Sequence, residues 1–209
     1  MMKKQVASFR DFLMTGMLGP LSPDMKLIDV SKALGSPDGW NINDDDVVPV
    51  YWFFGDVEVS FESVAPYRMS WFQLESAARL KGKTEPLTDH LELSLDGFSG
   101  KTKLSEFLSA DLWDPGLTTV YYAGLSDEIL LNVCAGSVQI HFRVDTSFIS
   151  DGDAIKYLET STPTQLVRNI DTLTKVDSIY SYPQPAAETM PGAFNWRSLT
   201  GRDYLNLLG

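Results

Sequence analysis

Tyr51-Trp52-Phe53-Phe54-Gly55-Asp56-Val57-Glu58-Val59-Ser60-Phe61 is the stretch from which the fold can be read. Two runs of aromatic and β-branched residues flank a Gly-Asp pair. Glycine at the first place of a two-residue loop suits a type II′ turn, whose twist matches paired strands. In that register Val48, Val50, Trp52 and Phe54 share a face with Val57, Val59 and Phe61. The other face carries Tyr51 and Phe53 beside Glu58, Ser60 and Glu62. One face is apolar throughout and belongs on a core, where Trp52, Phe54 and Val59 should be nearly closed to solvent. The other mixes aromatics with acids and reads as a partly exposed surface.

Upstream, Val6, Phe9, Leu13 and Met17 recur at helical spacing until Gly19-Pro20. In a second helix Ser22 can cap, Pro23 suits the first position, and Leu27, Val30 and Leu34 share a face. Gly35 and Pro37 end it. Downstream, Tyr67 to Leu74 reads as a third strand, and Leu91, Leu93 and Leu95 alternate with polar neighbours as a further strand. Leu104, Phe107, Leu108 and Leu112 fit a helix, and Thr119 to Ala123 a strand. A second hairpin then turns near Ala135-Gly136. There Ile129, Leu131 and Val133 face Phe142, Ile140 and Val138, with Asn132, Cys134, Gln139, His141 and Arg143 on the reverse. His141 falls opposite Leu130 in that register.

The expected fold is therefore α+β, with antiparallel hairpins packed on helices. Residues 1–150 form the main domain, which allows two helix-plus-hairpin halves at about 1–85 and 86–150. Residues 151–209 are expected as a C-terminal extension packed on it. In it Thr162-Pro163-Thr164-Gln165 opens a helix carrying Leu166, Ile170 and Leu173, residues Tyr182 to Gly192 form a loop, and the last residues a short helix.

Composition narrows function by exclusion. Seventeen Lys and Arg stand against 28 Asp and Glu in 209 residues, a net charge of −11, with a pI near 4.5. Nucleic acid is a poor partner for such a chain, because phosphate binding needs clustered Lys and Arg. Cys134 is the one cysteine, so neither an intrachain disulfide nor a cysteine metal cluster can form. Met1-Met2-Lys3-Lys4 begins like a secretory leader, but Arg10 and Asp11 interrupt any apolar run, and no run reaches the ~20 residues of a membrane span. The expectation is a soluble, cytoplasmic protein with no membrane association.

Motifs for chemistry are sparse. There is no Gly-rich phosphate loop, no His-Glu-x-x-His and no Gly-x-Ser-x-Gly. Calcium-loop spacing fails around Asp151-Gly152-Asp153, and in Asn41, Asn43 and Asp45 the turn glycine is replaced by Asp46. His141 and Cys134 share a strand face but stand apart, and Glu58 with Glu62 reads as an acidic strand face rather than an acid–base pair. No cofactor, metal or catalytic group is expected. Charge is segregated instead: Ala33 through Tyr67 lacks Lys and Arg but holds Asp38, Asp44, Asp45, Asp46, Asp56, Glu58 and Glu62. Such acids either keep a protein soluble or attract a basic partner. Aromatic neighbours favour the second use, since aromatic side chains anchor interfaces. The candidate partner-binding residues are Trp40, Asp44, Asp45, Asp46, Tyr51, Phe53, Glu58 and Glu62.

The stretch from Asp24-Met25-Lys26-Leu27-Ile28-Asp29-Val30 to Ala33-Leu34-Gly35-Ser36-Pro37-Asp38-Gly39-Trp40 resembles a recurrent bacterial pattern. In it a helix precedes Leu-Gly-x-Pro and a short acidic turn. It is similar to the half-repeat of β-lactamase-inhibitor-like and outer-membrane-assembly lipoprotein folds. It also resembles small cytoplasmic proteins encoded beside polymorphic toxins, in which a strand pair like 51–61 comes next. Leu131 to Val138 looks like that group's second hairpin, so the resemblance spans about Leu18 to Phe142; Asp24 stands where the group usually has glycine. It implies an immunity protein, which neutralises a cognate toxin, such as a basic effector C-terminal domain, without performing chemistry. The alternative class is an acidic effector-binding adaptor or secretion chaperone.

Overall fold

The alternating stretches become strands of two sheets in a computed structural model, which describes residues 4–42, 49–149 and 152–209. The strands are β1 (Gln5–Ser8), β2 (Gly39–Asn41), β3 (Tyr51–Phe54), β4 (Val57–Phe61), β5 (Met69–Leu74), β6 (Thr84–Pro86), β7 (Leu91–Ser94), β8 (Thr119–Leu125), β9 (Glu128–Ala135), β10 (Val138–Val144), β11 (Thr174–Ser181) and β12 (Arg197–Thr200). The helices are α1 (Phe9–Thr15), α2 (Leu27–Leu34), α3 (Leu104–Leu108), α4 (Ala154–Thr160), α5 (Pro163–Leu173) and α6 (Gly201–Leu208). Among the described residues, nine strands form one antiparallel sheet in the order β12-β8-β9-β10-β11-β5-β4-β3-β2, and β1-β7-β6 form a smaller one. The fold is α+β, with helices packed on a large antiparallel sheet.

The first hairpin has the expected register, with Phe54 opposite Val57, Trp52 opposite Val59 and Phe53 opposite Glu58. Gly55 has φ +57°, and a Cβ there would lie 2.1 Å from the Leu87 carbonyl oxygen, so the turn requires glycine twice over. The Asp38 carboxylate accepts the Gly55 N–H at 2.7 Å. Phe54, Val57 and Val59 are buried as expected. Trp52 is not: it is half-buried, because only the short edge strand β2 lies beyond β3 on that side. Glu58, expected on an exposed surface, is instead buried.

In the second hairpin Ile140 pairs with Val133 and Phe142 with Leu131, around a turn at Gly136-Ser137. The expected pairing is displaced by two residues. An even displacement keeps every side chain on its face, so the apolar set still meets the core.

The helices correct the sequence reading at their beginnings. Val6 lies in β1, paired parallel to β7, and α1 starts only at Phe9, where the Ser8 hydroxyl accepts the Asp11 N–H. Val6 and Met17 are therefore exposed, while Phe9, Phe12 and Leu13 are buried. Helix α2 starts at Leu27 rather than after Ser22, whose hydroxyl donates to Asp24; Val30 and Leu34 still face the core. Helix α3 ends before Leu112, which is nevertheless buried.

Beneath the sheet, ring contacts run from Phe72 of β5 through Phe12, Phe9, Phe98 and Phe107 to Phe142 of β10, with centroids 5.3–6.5 Å apart. This chain of rings crosses under β11. That strand comes from the segment expected to pack as an extension, yet it lies inside the sheet, with Ile179 between Ile140 and Leu74. Helix α5 leads into it, capped by Thr162 as expected. Its Asp171 is buried and accepts hydrogen bonds from the Ser105 N–H and hydroxyl, both at 2.9 Å, which ties it to the first turn of α3. Ile179 is fully buried in this joining strand. Ile179→Ala should therefore cost about 2–5 kcal/mol, read as a lower urea midpoint with an unchanged slope.

Candidate functional site: the outer face of the large sheet

Strand alternation sends one side chain in two away from the core, and register decides which of them meet. Tyr51, Ser60 and Trp71 stand in one line across β3, β4 and β5. Phe53, Glu58, Gln73, Tyr180 and Gln139 stand in the next, across β3, β4, β5, β11 and β10. Ser60 is small enough for the rings on either side to meet over it, and the Tyr51 and Trp71 centroids are 5.6 Å apart. Trp71 in turn contacts Tyr180 at 5.3 Å, and Tyr180 contacts His141 at 4.7 Å and stacks on Tyr182 at 5.9 Å. The result is an aromatic ladder across the middle of the sheet, with every ring half-buried.

Beside the ladder, the Gln73 side-chain amide donates to the carboxylates of both Glu58 and Glu75. Burial raises the Glu58 pKa, and the neighbouring Glu75 carboxylate pushes it the same way against the Gln73 hydrogen bond. The ladder and this acidic pair place large, stiff aromatic surface next to negative charge.

Of the residues singled out from sequence, Tyr51, Phe53 and Glu58 come together on this face, with Phe53 half-buried. Glu62 lies just past the end of β4 and is exposed. Trp40 does not join them. It pairs with Trp52, so it projects from the opposite face of the sheet, where it is 63% exposed. Asp44, Asp45 and Asp46 lie outside the described residues. Trp71, Gln73, Glu75, Tyr180 and Tyr182 were missed from sequence. The i, i+2 spacing of Trp71 with Gln73 and of Tyr180 with Tyr182 was visible, but nothing local says that β5 and β11 are neighbours.

Further along the same face, His141 stands opposite Asn132 rather than Leu130, and Cys134 opposite Gln139. The segment from Tyr182 to Trp196 folds back over these strands. The Tyr182 hydroxyl donates to Gln139 at 3.0 Å, the Gln139 amide reaches the Met190 sulfur at 3.0 Å, and that sulfur lies 3.9 Å from the Cys134 thiol. Burial pushes the Cys134 thiol up to about 12, so it stays protonated and is a poor nucleophile at neutral pH. Burial lowers His141 to about 4, against the opposing pull of Asp177, so the imidazole is neutral at pH 7. Between this segment and β9–β10 lies a groove of about 770 Å³.

Among the described residues, no helix is long and apolar enough to cross a membrane. Comparisons with known protein families, curated proteins and solved structures gave no match to this chain.

These environments produce two pH effects. The folded chain holds the Glu58 proton more tightly than the unfolded chain does. The resulting stability is complete below the ordinary glutamate pKa and is lost as pH rises through the folded value. Glu58→Gln should thus be more stable than the unaltered protein at pH 7, with the gain closing toward pH 4 in paired urea titrations. For His141 the sign is opposite: its contribution is present above the ordinary histidine pKa and lost as pH falls through about 4. Its imidazole resonances, tracked by NMR, should shift with a midpoint near 4.

Proposed function

We propose that this chain is an immunity protein: it binds a basic cognate toxin domain through the outer sheet face and neutralises it by non-covalent occlusion. The observation that carries the reading is the aromatic ladder Tyr51–Trp71–Tyr180 lying beside Glu58 and Glu75. Tyr and Trp cover much area while freezing few rotamers, which is why they dominate the energetic centres of interfaces. A surrounding negative field speeds encounter with a basic partner and rejects acidic ones. The net charge of −11 supplies that field. The resemblance of residues 24–40 and 51–61 to proteins encoded beside polymorphic toxins points to the toxin as partner and to the cytoplasm as location. In this reading the chain needs no cofactor and performs no catalysis. A second reading, an effector-binding adaptor or secretion chaperone, draws support from the groove beside the ladder, since such proteins hold their clients in grooves.

In the immunity reading a neighbouring open reading frame encodes a protein with a toxic C-terminal domain, and the test expresses that domain alone and together with this chain. Co-expression of the chain should restore growth, and the purified pair should associate more slowly as salt rises. Trp71→Ala and Tyr51→Ala, shown to unfold like the unaltered protein, should each lose about 2 kcal/mol of binding, roughly thirtyfold in Kd. If both bind unchanged, the interface lies off the ladder. Toxicity that persists beside a bound chain would favour the adaptor.

A further inference from the structure

The groove between β9–β10 and the segment from Tyr182 to Trp196 has a floor and a rim of different chemistry. On the floor, Asn132 and His141 face each other across the hairpin. Asn132 is only 8% exposed, yet its carboxamide has no hydrogen-bond partner among the described residues, and neither has the His141 imidazole. Among the described residues Thr174 Oγ1 is the one fully enclosed side-chain polar atom without a partner, so the Asn132 amide is not sealed away but opens to the groove it lines. Gln139, one pair along, shows the contrast, because both ends of its amide are engaged by Met190 and Tyr182.

With the imidazole neutral, the two side chains offer donors and acceptors but no charge. A peptide group has the same character, one donor and one acceptor. The rim is acidic: Asp127, Glu128 and Asp177 line the groove, and among the described lining residues Arg143 is the one cation, paired with Asp177 at 3.4 Å. A phosphate or carboxylate ligand would meet this rim with like charge. Trp196 forms part of the wall, held by its indole N–H on the Pro191 carbonyl at 2.9 Å and by ring contacts to Phe194 and Tyr121. An aromatic face beside carboxylates is a favourable setting for a lysine or arginine side chain.

We propose that this groove binds an extended peptide segment of a partner, its backbone hydrogen-bonded to Asn132 and His141 and a lysine or arginine side chain lying between Trp196 and the acidic rim. The ligand's peptide nature rests on reading the chain as a protein-binding molecule, whichever partner that is. Charge complementarity selects a basic segment, and the unpaired Asn132 marks where its main chain docks.

The test needs no toxin. A random peptide library displayed on phage is selected on the full chain, and synthetic copies of the enriched peptides are titrated by fluorescence polarisation. Enriched sequences should be rich in Lys and Arg. Asn132→Leu should weaken them about tenfold, the value of one well-made hydrogen bond. Asp127→Lys with Glu128→Lys, both at exposed rim positions, should weaken them at least as much, so the question stays open to refutation even if Asn132→Leu unfolds. Trp40→Ala, on the opposite face, should change nothing. No enrichment, enrichment of acidic peptides, or equal binding by the rim variant would overturn the proposal. The outcome separates from that for the ladder: a rim variant that loses peptides but still neutralises the toxin supports the groove and leaves the immunity reading intact. Loss of toxin binding in Trp71→Ala with no peptide enrichment on the unaltered chain retains the immunity reading and removes the groove.

Discussion

Strand β11 satisfies backbone groups on both of its sides at once, and the rest of the molecule depends on that pairing. Without it the large sheet would be two blocks, β2 to β5 and β8 to β10 with β12, each ending in an open row of N–H and C=O groups. Such edges template unwanted pairing and are costly to leave bare in a core. The strand enters after α5, more than 90 residues beyond β5, so closing the sheet requires most of the chain to be in place. Contacts so distant in sequence are entropically expensive to form first. The phenylalanine chain from Phe72 to Phe142 binds the same two blocks together from beneath.

The same strand builds the outer face. Tyr180 meets Trp71 on one side and His141 on the other only because β11 separates β5 from β10. The outward-facing aromatics of the first hairpin thereby become part of a ladder reaching to the groove wall at Tyr182. Structural closure and the proposed recognition surface use opposite faces of one element, with Ile179 facing the core and Tyr180 facing outward. The acidic pair Glu58 and Glu75 is held at the ladder by a neutral amide rather than a cation, so its negative character is not cancelled locally. An interface built this way joins area that is cheap to order with a field that acts at a distance.

Local signals carried the elements themselves. The Gly55-Asp56 turn, the apolar face of the first hairpin, the Gly35 end of α2 and the Thr162 start of α5 all arise from rules acting within a few residues. Helix starts were harder. Val6 continues the helical spacing of Phe9 and Leu13, but β7 offers residues 5–8 hydrogen bonds, and pairing overrode periodicity. In the second hairpin the face was legible and the register was not. Alternation has a period of two, and a shift of two leaves it unchanged.

For the candidate site, sequence alone determined that Tyr51, Phe53 and Glu58 share a face, because a two-residue turn leaves no other register. Which residues join them was decided by tertiary structure: Trp71, Gln73 and Tyr180 arrive through strand order, and strand order is set by which edges must be paired. Trp40 shows the same dependence in reverse, since one step of register on β2 sends it to the opposite face. Glu58 reads as an exposed acid in an alternating strand, yet β3 and β5 enclose it on both sides. Burial of a polar side chain depends on its neighbours across the sheet, and those come from parts of the chain that local pattern does not connect.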